Sequence, residues 1–286
     1  MTLSKSGRYK VRLFEPVDEE WRTYIVDDRF PVNRYGHLRN VRLSVSGELW
    51  PAILEKAFAV MFGGYEFLDG GNPYLALKAL TGTTGDRLIR LTRAETATNE
   101  TMSWRCWTPK FANTGFPTAR QLRETPWPDS GERGSTPRGL DDLMRMLRWL
   151  DRGKSIMCCG SEGDDDEQLF ASGVVLGHAY ALLEIHEVTA DALEKPSGGA
   201  SIPESFELLK LRNPHGQGGK EWNGAWSDGD VMWERYSHVK ESLKPTGRDD
   251  GAFWIAKEDF AKEFRSISIC ISDGNFAEMH KAPNNK

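Results

Sequence analysis

The chain has 286 residues, 39% of them hydrophobic and 28% charged, which suits one large domain or two lobes around a real buried core. Its net charge of −5 argues against a nucleic-acid binder, which carries a basic stripe. No apolar run approaches the ~20 residues of a membrane helix, and Met1 to Lys10 lack the apolar core of a signal peptide.

Taken in chain order, residues 9–14 alternate and read as a strand, and residues 21–26 read as a second strand after a turn-like segment from Pro16 to Glu20. Pro31 stops the ladder. The spacing predicts a helix over 46–62, with Ser46 as cap, Pro51 in the first turn and Gly63-Gly64 as the stop. Trp50, Ile53, Leu54, Ala57 and Met61 share one of its faces. A Gly-rich loop over 69–73 precedes a short helix near 75–80. Residues 97–138, rich in Thr, Pro, Arg and Gly, read as a long loop or insertion.

A helix over 139–150 follows, with Leu143, Met146, Leu147 and Leu150 on one face. Strands then dominate: 155–158, 177–185, 207–212, 252–254 and 267–271, with a short helix over 257–264 that sets Phe260 and Phe264 at i,i+4. The acidic run 164–167 reads as a solvated turn, and the polar tail after Asp273 as a frayed end. Helices first and antiparallel strands later make an α+β layout.

The four cysteines, Cys106, Cys158, Cys159 and Cys270, contain no C-x-x-C pair and form neither a disulfide framework nor a zinc site, which points to a reducing, cytoplasmic compartment. Cys158, Cys159 and Cys270 sit in hydrophobic strands and read as core residues. Among the six histidines, His178 stands out because it lies between Gly177 and Ala179-Tyr180 in an apolar strand that holds its ring by packing. Asn213 ends a later strand ahead of Pro214. An asparagine at a rigid strand end can accept from an imidazole N–H and set its tautomer, the orienting role in Cys-His-Asn chemistry. Adjacent antiparallel strands would bring the two together.

At this point the order of motifs becomes informative. Gly177-His178-Ala179-Tyr180, Leu211-Arg212-Asn213-Pro214-x-Gly216, Glu221-Trp222-x-Gly224-Ala225-Trp226-Ser227-Asp228 and Asp250-Gly251-x-Phe253-Trp254 resemble successive blocks of calpain protease cores. Upstream, Val26-Asp27-Asp28-Arg29-x-Pro31, the block from Glu48 to Ala57, and Gly63-x-Tyr65-Glu66-x-Leu68-x-Gly70-Gly71 do so too. The resemblance implies a papain-like, two-lobed cysteine endopeptidase core regulated by calcium. Residues 1–95 would form part of a helical first lobe, 96–138 a loop or insertion, 139–272 a β-sandwich second lobe, and 273–286 a tail.

By the same resemblance, His178 is the general base and Asn213 its orienting amide, while Glu221, Asp228 and Asp250 fall on second-lobe Ca²⁺ ligand positions. Hard carboxylate oxygens suit that ion. Protein and peptide substrates follow, with no nucleic acid and no membrane span.

The chain departs from the family in three places. The Gln-Gly-x-x-Gly-Asp-Cys-Trp block that carries the nucleophile should precede Val26, and no cysteine lies there. Cys106-Trp107 imitates the Cys-Trp pair but runs into Thr108-Pro109 rather than a helix. His215 stands where the family has a Trp that shields the His–Asn pair, and Ala252 where an acidic residue is common. The chain is therefore expected to lack its nucleophile, to be inactive alone, and to depend on an upstream Cys-bearing segment or further domains. The alternative is a non-catalytic peptide-binding or scaffold module.

Overall fold

Alternation in the first strands translates directly into structure. The computed structural model describes residues 7–39, 41, 47–68, 71–94, 103–109, 122–124, 137, 139–163, 168–189, 205–216 and 221–275. In it β1 (Arg8–Glu15) and β2 (Glu20–Asp27) pair antiparallel, from Arg8 opposite Asp27 to Glu15 opposite Glu20. Tyr9, Val11 and Leu13 point into a core while Arg8, Lys10 and Arg12 face solvent. The chain divides into two compact units, residues 1–84 with 111–117 and residues 85–110 with 118–286.

In the first unit the hairpin core is completed by Val26 of β2 and by Ile53 and Ala57 of α1 (Trp50–Phe62). Gly63, at φ +98°, ends that helix in the left-handed conformation a side chain would disfavour. No side chain caps its start, where Leu49 sits, and the expected cap Ser46 lies outside the described residues. The buried face is Ala52, Ile53, Ala57 and Ala59, so the expected stripe is rotated and Trp50 is half exposed. The small residues bring this side of the helix close to the hairpin. A 3₁₀ turn over Tyr65–Leu68 leads to α2 (Pro73–Thr81), where Asn72 Oδ1 accepts the Tyr74 N–H. Lys78 of α2 is 1% exposed, and its Nζ donates to the Pro16 carbonyl at 2.8 Å and pairs with Glu19 at 2.7 Å. This contact fastens α2 to the β1–β2 turn.

The second unit is built on eight strands, β3 (Leu88–Arg93), β4 (Trp104–Pro109), β5 (Leu122–Glu124), β6 (Ile156–Ser161), β7 (Ala179–Thr189), β8 (Ser205–Arg212), β9 (Ala252–Ala256) and β10 (Phe264–Cys270). They form one sheet in the order β5-β4-β3-β10-β6-β7-β8-β9, with every neighbouring pair antiparallel. The ladder is continuous, so no break in hydrogen bonding separates two facing sheets. The register shifts between Phe264 and Ser266 and between Leu182 and Glu184.

β4 and β5 fall inside the stretch expected to be a loop, which is a correction. Trp104 and Cys106 are buried around exposed Arg105, a period-2 pattern that the Thr- and Arg-rich composition conceals. The acidic run 164–167 and the tail beyond 275 lie outside the described residues.

One side of the sheet is covered by α3 (Leu140–Arg152), whose Leu143, Met144, Leu147 and Leu150 are fully buried against Leu91, Cys159, Leu209 and Ile267. Asp141 and Asp142 in its first turn and Arg152 in its last suit the helix dipole. α4 (Met232–Arg235) and α5 (Ser237–Leu243) are short helices whose Trp233 and Val239 join Trp226 and Tyr236 in a second cluster with Leu208 and Trp254. α6 (Lys257–Glu263) runs straight into β10, and its Phe260 stacks on Phe264 at 5.0 Å. Among the described residues, no helix is long and apolar enough to cross a membrane.

Antiparallel pairing sets the site. The end of β6, the start of β7, the end of β8 and the start of β9 lie at one end of the sheet, with Gly160 opposite Ala179, Ala181 opposite Arg212, and Arg212 opposite Ala252.

Candidate functional site

His178 sits one residue ahead of β7 rather than within it, because Gly177 at φ +57° turns the chain there. A Cβ would strain that conformation. The His178 backbone N–H donates to Ser161 Oγ at 3.0 Å, and its carbonyl accepts from Ser161 N at 3.0 Å. Ser161 Oγ in turn donates to the Val175 carbonyl at 2.6 Å. The histidine backbone is thus clamped to the end of β6. Its ring meets Tyr180 edge-on at 5.2 Å, and the Tyr180 hydroxyl accepts the Val175 N–H at 2.8 Å. Burial pushes the Tyr180 phenol well up from its ordinary value, so it stays neutral.

Asn213 follows β8 and is fully buried. Its Oδ1 lies 3.1 Å from His178 Nε2 and also accepts the His215 backbone N–H at 2.9 Å. The second contact decides the chemistry of the first. A backbone N–H only donates, so the Asn213 atom at this point is the carbonyl oxygen, and His178 Nε2 must carry the proton. That leaves Nδ1 as the basic nitrogen of His178. The Asn213 backbone N–H donates to the Gly251 carbonyl at 2.7 Å, which fixes the asparagine against the start of β9. Gly251, at φ +87°, allows this approach: a Cβ there would stand 2.5 Å from the Asn213 carbonyl oxygen.

The acidic residues gather behind Gly251. Glu221 Oε1 accepts the Gly251 N–H at 2.5 Å. Burial raises the Glu221 carboxyl above its ordinary value, and Asp228, Asp249 and Asp250 add repulsion. Asp228 is raised by burial and then by Asp250 and Asp249. Its Oδ2 is buried with no hydrogen-bond partner among the described residues. An orphaned carboxylate oxygen among other acids suits a cation. The fit is incomplete, since no three His, Cys, Asp or Glu side chains among the described residues converge as a metal cage. Backbone or solvent oxygens would have to complete the shell.

Trp226, two residues before Asp228, holds φ +67°, and its N–H donates to Asp230 Oδ2 at 2.6 Å. A bulky residue rarely adopts this region. An aromatic box holds it: Phe206 at 5.1 Å, Trp233 at 4.9 Å and Tyr236 at 5.9 Å.

None of the four cysteines is in a disulfide. Cys106, Cys159 and Cys270 are buried in the sheet, and Cys158 is partly buried on β6. Burial raises the thiol of Cys158 and, more strongly, that of Cys159. For these two thiols burial disfavours the thiolate.

The structure therefore brings His178 and Asn213 together on neighbouring strand ends, and sets Glu221, Asp228 and Asp250 in a separate acidic group. Ser161 was not singled out in the sequence, and Gly251 stood there only as part of a motif block with no role of its own. The contact of His178 with Ser161 joins residues 17 positions apart, and no motif announces it. The φ of Gly251 becomes legible only once Asn213 is placed beside it.

Similarity to known proteins identifies the family. The sequence matches the family described as calpain family cysteine protease over residues 2–271. It is 29% identical over 268 residues to calpain-type cysteine protease ADL1 of Oryza sativa subsp. japonica, covering 93% of this chain and 10% of that protein. With calpain-5 of Mus musculus it shares 31% identity over 267 residues, covering 92% of this chain and 35% of the relative. Calpain clp-4 of Caenorhabditis elegans is 30% identical over 255 residues, covering 88% of this chain and 27% of the relative. The chain thus spans about a tenth to about a third of the length of these relatives.

Proposed function

Because the chain belongs to the calpain family of cysteine proteases, we propose that it supplies the general base His178 and the orienting amide Asn213 to a calpain-type endopeptidase. The observation that carries this reading is the 3.1 Å contact between His178 Nε2 and a fully buried Asn213 Oδ1 whose orientation is dictated by the His215 N–H.

With Nε2–H directed at Asn213, Nδ1 takes the proton of the attacking thiol, and the resulting imidazolium pairs with the thiolate. After attack on the scissile carbonyl, the same nitrogen gives its proton to the leaving amine, and water then hydrolyses the acyl-enzyme. Asn213 keeps the ring plane and tautomer constant through both transfers. Ser161 prevents the histidine backbone from shifting as the ring gains charge.

The nucleophile comes from a cysteine other than the four in this chain, which are buried or partly buried sheet residues, and burial disfavours the thiolate of Cys158 and Cys159. The chain alone is then inactive on peptides. The two compact units correspond, on this reading, to parts of the two lobes of a papain-like core, an incomplete first lobe in the unit of residues 1–84 with 111–117 and a β-rich second lobe in the unit of 85–110 with 118–286, so that β3, β4 and β5 join the second lobe rather than the first lobe or a connecting stretch.

Glu221, Asp228 and Asp250 would hold Ca²⁺, which supplies positive charge to a group of carboxylates that burial and mutual repulsion otherwise disfavour. Four cysteines without a disulfide suit a cytoplasmic setting.

The test is casein hydrolysis by the full-length natural polypeptide and its variants. His178→Ala is expected to lower kcat by at least about 10³-fold, and Asn213→Ala to lower it less, with little change in KM for either. Full activity in the His178 variant would overturn the proposal. An intact full-length protein with no activity at all would favour a peptide-binding module.

A further inference from the structure

His215 touches the His178–Asn213 pair twice. Its backbone N–H donates to Asn213 Oδ1, and its ring centroid lies 4.3 Å from that of His178, with the planes inclined by 47°. A backbone donor needs no particular side chain, so the first contact does not account for the second. Two imidazoles this close cannot both hold a proton without repulsion. At their separation, with an effective dielectric between that of a protein surface and that of water, the second proton is disfavoured by about one to two pKa units.

We propose that His215 is a positioning residue for His178, a ring that packs on it while neutral and that excludes its own proton whenever His178 is charged. At most one of the two rings then carries charge across the neutral range. When His178 becomes imidazolium, His215 stays neutral and remains packed against it, so the charge stays on the ring that Asn213 orients. In acid both rings take protons from solvent, repel, and lose their contact. The catalytic meaning rests on the reading of His178 as general base, but the coupling itself does not.

The other titratable groups around the pair do not imitate this effect. On β6 and β7, burial keeps Cys158, Cys159 and Tyr180 neutral through this range. Glu162, whose carbonyl accepts the Gly177 N–H, is paired with Arg265. At the start of β9, Glu221 reaches Gly251, with Asp249 and Asp250 beside it. Arg212 ends β8. All of these are unchanged when His215 alone is replaced, so a difference between the chain and its variant isolates the second imidazole.

The experiment follows the imidazole Cε1–H resonances of the whole chain by NMR from about pH 4.5 to 8.5 in chelator-treated buffer. The chain is compared with His215→Phe, His215→Gln and His178→Gln, and the amide spectrum of each verifies its fold. The two rings of the unaltered chain are expected to titrate in two steps at least about one unit apart. In each variant the remaining ring is expected to titrate in a single step, with the lower step gone. If His215→Phe fails to fold, His215→Gln and His178→Gln carry the same test. A single step of ordinary width in each ring of the unaltered chain, or curves unmoved by loss of the partner, would overturn the proposal. No nucleophile or substrate is needed, so absence of protease activity leaves this result intact.

Discussion

Replacing Gly251 with alanine strikes the His178–Asn213 pair from behind, and the structure sets the size of the effect. Gly251 has φ +87°, and a Cβ on it would lie 2.5 Å from the Asn213 carbonyl oxygen and 3.0 Å from Gly216 Cα. Both neighbours are backbone atoms, so no rotamer change relieves the clash. The left-handed conformation costs an alanine about 1 kcal/mol. Displacing packed backbone adds about 1–3 kcal/mol. The sum, about 2–4 kcal/mol, lowers Tm by roughly 5–15 °C in a domain of this size. Gly247 is the control: at φ +59° it has nothing within 4 Å of its would-be Cβ, so Gly247→Ala carries only the conformational cost. That corresponds to about 1 kcal/mol and roughly 2–4 °C. Thermal unfolding of the two variants by circular dichroism reads the difference. Equal losses of Tm for both would refute the steric part of the reasoning and leave backbone conformation as the sole cause.

Asp228→Asn is expected to raise Tm at pH 7 in chelator, because burial and the neighbouring Asp250 and Asp249 raise the Asp228 carboxyl. A raised folded-state pKa contributes stability below the ordinary carboxylate range near pH 4, and that stability is lost as pH rises through the raised value, so the advantage of the variant should shrink toward pH 4. Ca²⁺ should raise the Tm of the unaltered chain and not that of Asp228→Asn; at 100 times Kd the linkage is worth about 2.7 kcal/mol. Glu207→Ala is expected to destabilise by about 2–3 kcal/mol in urea unfolding, because the Glu207 side chain is 9% exposed and joins Arg148 of α3 to Lys257 of α6. The loss stays below that of an isolated buried pair because Arg148 keeps Glu187 and Lys257 keeps Asp141.

Elements with a clean period were legible before the structure. The 9–14 and 21–26 strands became β1 and β2, and the four apolar positions of the 139–150 helix are all buried in α3. The His178–Asn213 contact was legible too, because an Asn-Pro strand end fixes where a side chain can go. What escaped was structure whose cause lies elsewhere in the chain. β4 is a strand because β3 offers it an edge and β5 because β4 does, and their own composition reads as loop. α4 and α5 are 4 and 7 residues long, too short for a helical period to register. Trp226 accepts a left-handed backbone only because Phe206, Trp233 and Tyr236 enclose it, and the nearest of these in sequence is seven positions away.

The central claim is that His178 serves a cysteine lying outside these 286 residues. It is tested most directly by treating the full-length natural polypeptide, with and without Ca²⁺, with a peptidyl epoxide that alkylates cysteine-protease nucleophiles, and mapping the label by mass spectrometry. The expected result is a single labelled cysteine that is none of Cys106, Cys158, Cys159 or Cys270, with labelling lost in His178→Ala. A label on one of those four, or labelling that persists without His178, would contradict it.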